Sequence, residues 1–128
     1  MHVNPDRKVK LMRPISRHQS DSRLSRVVTH GGVAYLAGLT ADDRSASLKG
    51  QTEAVLKKID AMLKAAGTDK SRLLSATIYV SDISIEPQMD EAWVAWVDPQ
   101  NKPARACVQA QLGSPDTLVE IVCTAAVD

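Results

Sequence analysis

An α+β domain, with one sheet and both helices packed on one of its faces, is the fold class this sequence predicts, and three observations carry it. Leu48, Thr52, Val55, Leu56, Ile59, Met62, Leu63 and Ala66 recur at helical spacing as one apolar stripe. A second, shorter stripe runs through Met89, Ala92, Trp93, Trp96 and Val97. Between and around the two stripes lie short segments rich in β-branched residues, giving the order strand, strand, helix, strand, helix, strand, strand.

The first strand is expected over Leu24–Thr29 and the second over Val33–Gly38, joined by His30-Gly31-Gly32, since paired glycines supply the positive φ of a tight hairpin turn. A polar loop, 41–47, leads to the long helix, which Ser45 or Ser47 would cap and Gly67 would end in a left-handed conformation. Leu73–Val80 reads as a strand. Ser84 is the expected cap of the second helix, with Pro87 in its first turn, and the helix stops before Asp98-Pro99 because the residue before proline is driven out of the α region. Strands Ala104–Ala110 and Leu118–Val127 follow, linked by Gly113-Ser114-Pro115-Asp116. Leu36, Ile78, Val80, Val108 and Val122 are candidates for the sheet face away from the helices, which an oligomer would bury.

The chain of 128 residues suits one domain. With no Phe, two Trp and two Tyr, its core is built from Ala, Val, Leu, Ile and Met. Residues 1–21 are expected to form a basic, partly irregular N-terminal segment and 22–128 the folded domain. Arg7, Lys8, Lys10, Arg13, Arg17, Arg23 and Arg26 stand against only Asp6 and Asp21 in residues 1–30, an excess of five positive charges that the remainder offsets to a net +1. That arm lacks the interleaved aromatics of a single-strand binder, so it reads as a solvated segment rather than a nucleic-acid surface. Charges from Asp6 to Lys10 interrupt any signal-like stretch, and no uncharged run approaches a membrane span. Two cysteines without a secretory signal imply a reducing, cytoplasmic setting. There is no CxxC or His/Cys cluster, hence no metal-site signal, and His2, His18 and His30 read as surface residues.

Two charges are out of place. Glu120 interrupts an apolar strand from Leu118 to Ala126, and Arg105 lies between Ala104 and Ala106. If the last two strands form a hairpin about Leu112-Gly113, Arg105 falls opposite Glu120, with Cys107 facing Leu118 on the same side and Cys123 on the other. One reading is a structural ion pair. The other is a site in which Arg105 grips a carboxylate bidentately and Glu120 holds a water or moves a proton. Cys107 has no histidine assigned beside it and reads as a small pocket-lining thiol. Gly38 would let a ligand approach the backbone or simply end its strand. Trp93 and Trp96 read as core anchors.

The segments Gly32-Val33-Ala34-Tyr35-Leu36-Ala37-Gly38, Gln51-Thr52, Ala65-Ala66-Gly67, Ile78-Tyr79-Val80-Ser81-Asp82, Met89-Asp90, Pro103-Ala104-Arg105-Ala106-Cys107-Val108 and Leu118-Val119-Glu120-Ile121 together resemble the RidA/YjgF reactive-intermediate deaminase family over about residues 22–127. The resemblance implies a chorismate-mutase-like fold and a homotrimer with active sites between subunits. It implies hydrolysis of 2-imino or enamine acids to 2-keto acids and ammonia without a cofactor. Arg105 would bind the substrate carboxylate, Glu120 would position water, Cys107 would line the pocket and the Gly38 backbone would touch the ligand. Well-characterised members carry a tyrosine at the position of Leu24, where its hydroxyl faces the substrate from a neighbouring subunit, and a glutamine at that of Leu39. Two rival functions stand beside the deaminase: a non-catalytic trimer binding small carboxylates, and an RNA-acting or chaperone-like protein supported only by the basic arm.

Overall fold

The computed structural model describes residues 13–128. The irregular run expected over 1–10, with His2, Arg7, Lys8 and Lys10, lies outside the described residues. The chain order is β1 Ser16–Ser20, β2 Ser25–His30, β3 Val33–Leu36, α1 Leu48–Ala65, β4 Leu73–Val80, α2 Glu86–Trp96, β5 Ala104–Gln109 and β6 Val119–Ala126, with single 3₁₀ turns at Lys70–Arg72 and Ile83–Ile85. All six strands form one sheet in the order β1-β2-β3-β6-β4-β5. Only β4 and β5 run parallel, joined by the crossover through α2 that parallel neighbours require.

Most boundaries follow from local chemistry. Ser47 caps α1, its side chain accepting from the Gly50 N–H. Gly67, at φ +81°, supplies the left-handed residue beyond its C-terminus. Gly31 and Gly32, at φ +58° and +82°, turn β2 into β3. The start of α2 departs from expectation. Asp82, not Ser84, is the capping side chain; it accepts from the Ser84 N–H and Oγ and organises the 3₁₀ turn that feeds the helix. β1 has no counterpart among the expected strands, and it carries the sheet ahead of the boundary expected at residue 22.

Alternation then fixes the two faces. Ala76, Ile78 and Val80 of β4 share rows with Cys123, Ile121 and Val119 of β6, and all are buried beneath the helices with Val55, Leu56, Ile59, Leu63, Met89 and Trp93. Leu36, Ile78 and Val80 therefore face the helices, contrary to expectation; Val108 and Val122 do lie on the open side, beside Tyr35 and Tyr79. Tyr35 is 49% and Val108 43% exposed there.

Gln51, 0% exposed, ties three chain segments together at the start of α1. Its amide nitrogen donates to the carbonyls of Arg44 (3.3 Å), Ala46 (3.2 Å) and Asp116 (3.0 Å), and its oxygen accepts from the Leu118 N–H (3.0 Å). Gln51→Leu would keep the volume and orphan those backbone groups. It is expected to destabilise the fold by about 2–4 kcal/mol, read as a shift of the urea midpoint at unchanged m.

Candidate functional site

Arg105 stands on β5, an edge strand paired on one side only, in register with Ala76 and therefore on the helix-covered face. Its guanidinium reaches α2. Nη1 is hydrogen-bonded to Asp90 Oδ1, Nη2 lies 3.7 Å from Glu86 Oε1, and the group sits 5.6 Å from the Trp93 ring centroid. Glu86, Asp90 and Trp93 follow one another at i, i+4 and i+7, so one helix face presents two carboxylates and an indole to the arginine. That spacing is readable from the sequence, but its partner is not until the β4–β5 register is known.

Cys107, two residues on, points to the same face and packs partly against the core. Burial first, then the Glu86 carboxylate, pushes its thiol above the ordinary range, which Arg105 only partly offsets. A raised thiol holds little thiolate at neutral pH, in keeping with a lining group and not a nucleophile. Cys123 is pushed up to about 12 by burial. Both cysteines are free, but the reason differs from the expected one. They share the helix-covered face, in register with Ile78 and Ala76, and stand two strand spacings across and two residues along, about 12 Å apart and beyond disulfide reach.

The expected hairpin between the last two strands does not form. β6 pairs with β3 and β4, and Glu120 stands opposite Tyr79 instead of Arg105. Glu120 is half-buried on the open face, against Gly38. A Cβ built on Gly38 would collide with Glu120 Oε2 and lie 3.1 Å from its Cδ and 3.3 Å from its Cγ, so the absent side chain is what leaves room for the carboxylate. Next to Gly38, Leu39 exchanges backbone hydrogen bonds with Ile121 (3.0 and 3.1 Å), which fixes the glycine beside β6. Gln19, Arg26, Leu39, Thr40 and Lys58 join Gly38 around a cleft of about 400 Å³. Leu24, 39% exposed, ends the turn before β2; its N–H donates to Asp21 Oδ1 (3.0 Å).

Within one chain, then, the site residues form two groups: Arg105 with Cys107 on the helix-covered face, and Glu120 with Gly38 on the open face. Three residues along the strands and two strands across separate Arg105 from Glu120, about 14 Å, with the sheet between them. Among the described residues no cluster of three His, Cys, Asp or Glu is placed to hold a metal ion, and no helix is long and apolar enough to cross a membrane.

A single mixed sheet with two helices on one face defines a small α+β class of which many solved structures are known. The chain belongs to the family described as Endoribonuclease L-PSP, whose model it matches over residues 15–127. A RutC family protein of Haemophilus ducreyi is 42% identical over 114 residues, covering 89% of this chain and 97% of that protein. The RutC family protein YoaB of Escherichia coli is 39% identical over 113 residues, covering 88% and 98%. Among solved structures, NMB1025 of Neisseria meningitidis, a member of the YjgF protein family, superposes with a TM-score of 0.87 at 36% identity, covering 90% of this chain and 96% of that one.

Proposed function

We propose that the protein is a cofactor-free deaminase that hydrolyses reactive 2-imino or enamine acids to 2-keto acids and ammonia, working as a homotrimer with its sites between subunits. The observation that carries this reading is the division of the site: Arg105 and Glu120 lie on opposite faces of one sheet. They can meet only if one copy supplies Arg105 and Cys107 and the next supplies Glu120, Gly38 and the Leu24 turn. Contact between two different surfaces is heterologous, and such contacts form a ring when the rotation between copies closes, as a three-fold rotation does for a trimer. The uncovered Tyr35, Val108 and Val122 give the ring an apolar seam.

In the assembled site Arg105 binds the substrate carboxylate through its forked donors, leaving C2 towards the neighbouring Glu120. Glu120 accepts a proton from water as the oxygen adds to C2 and the imine nitrogen takes up a proton. Glu120 returns its proton to the amino nitrogen, the C–N bond of the amino alcohol breaks as ammonia leaves, the hydroxyl gives up its proton to water and the 2-keto acid remains. Nothing in this sequence of steps needs a metal or an organic cofactor, and no membrane or nucleic acid enters it. The reaction suits a cytoplasmic enzyme that meets imines as they leave amino-acid-consuming enzymes.

The reading is tested with Glu120→Gln. Hydrolysis of enzymatically generated 2-iminopropionate should fall by about two to three orders of magnitude, the usual worth of a positioned proton acceptor, while binding of 2-keto acids persists. Equal rates for the two proteins would leave a non-catalytic carboxylate-binding trimer.

A further inference from the structure

Arg105 already holds a carboxylate. Asp90 occupies Nη1 and Glu86 stands 3.7 Å from Nη2, so both ends of the guanidinium fork face acidic groups of the same chain. The charges around this point sum to −1, two carboxylates against one guanidinium, and the third titratable neighbour, Cys107, adds no positive charge. The Trp93 indole closes one side of the guanidinium, its ring centroid 5.6 Å away. A ligand carboxylate must share or replace the bond to Asp90, and a second negative charge held near α2 meets the Asp90 and Glu86 carboxylates.

Resting on the deaminase reading above, we propose that Asp90, seconded by Glu86, is the specificity-determining residue of the site. It restricts substrates to 2-imino acids whose only negative charge is the carboxylate bound by Arg105, and it rejects those with acidic side chains. Asp90 does not take part in the chemistry. It acts by being the ligand that the substrate has to outcompete, and by repelling any further negative charge.

The test compares 2-oxobutyrate with 2-oxoglutarate, stable keto acids with one and two carboxylates, by titration calorimetry on the intact wild-type protein, Asp90→Asn and Asp90→Asn/Glu86→Gln. Both replacements are isosteric at partly exposed positions, and thermal melts verify folding. Wild type should bind the monocarboxylate about tenfold or more tightly over the dicarboxylate. Asp90→Asn should bind 2-oxobutyrate more tightly and narrow the ratio about tenfold, about 1.4 kcal/mol, with the double variant narrowing it further. The wild-type ratio should also shrink at 1 M salt, a response that a structural role for Asp90 would not produce. An Arg105-dependent 2-oxobutyrate affinity with the same ratio in wild type and Asp90→Asn overturns the specificity role alone. Binding of neither acid by wild type or either variant overturns the carboxylate assignment of Arg105, and with it both proposals.

Discussion

Arg105→Ala is expected to reduce kcat/KM for 2-imino acids by about two orders of magnitude or more, because loss of a charge-assisted bidentate pair costs about 3 kcal/mol or more. The loss should exceed the contact itself. Without the guanidinium, Asp90 and Glu86 face the incoming carboxylate unneutralised. Stability should change little, since the partner carboxylates, Asp90 at 42% and Glu86 at 31% exposed, can take up water once the guanidinium is gone. Arg105→Lys keeps the charge without the fork and should recover only part of the rate. Mixing carries the decisive readout: Arg105→Ala and Glu120→Gln, each inactive alone, should regain up to about a quarter of wild-type activity when refolded together. In a randomly mixed ring about one interface in four joins an intact arginine to an intact glutamate. No recovery would mean that the two residues do not meet across subunits.

Gly38→Ala is expected to be nearly as damaging, and for a purely steric reason. The new methyl would collide with Glu120 Oε2. The carboxylate ends a flexible side chain, so it yields by rotating away, and the fold should lose little stability. Activity should not survive the rotation, since a displacement of about 1 Å at a reacting group costs on the order of a hundredfold. Measuring kcat/KM together with Tm separates the alternatives. A lowered Tm with normal activity in the folded fraction would assign Gly38 to backbone packing instead of to seating Glu120.

Much of the architecture was legible because it is encoded locally. The stripe from Leu48 to Ala66, the Ser47 cap, Gly67 and the Gly31-Gly32 turn each act within a few residues, and the structure carries all of them. β4 came out with its boundaries as read, being apolar on one parity and bounded by turns. Strand partnership is different. Alternation says which residues share a face, not which strand lies alongside, and strands adjacent in sequence need not be adjacent in the sheet. β6 instead inserts between β3 and β4, which moved Glu120 from Arg105 to Tyr79 and put the cysteines on one face. β1, Ser-Arg-His-Gln-Ser, escaped notice because an exposed polar edge strand has no apolar alternation to read. Arg105 and Glu120 stood out as charges in apolar strands, but their separation by the sheet is a property of topology. So is the Asp90–Arg105 pair: the acidic residues were visible at helical spacing, while the strand they face was not.

The strand order has a consequence for how the molecule comes into being. β6, the last strand made, lies at the middle of the sheet and is the sole link between the β1-β2-β3 meander and the β4-α2-β5 unit. On the ribosome the two halves wait, each with an apolar edge unmatched, until residues 119–126 emerge. Their union depends on contacts distant in sequence, such as Val33 with Ala126, so folding is set by late, non-local pairing and not by the fast formation of α1. The same insertion positions Glu120, so the carboxylate beside Gly38 takes its place only as the sheet is completed.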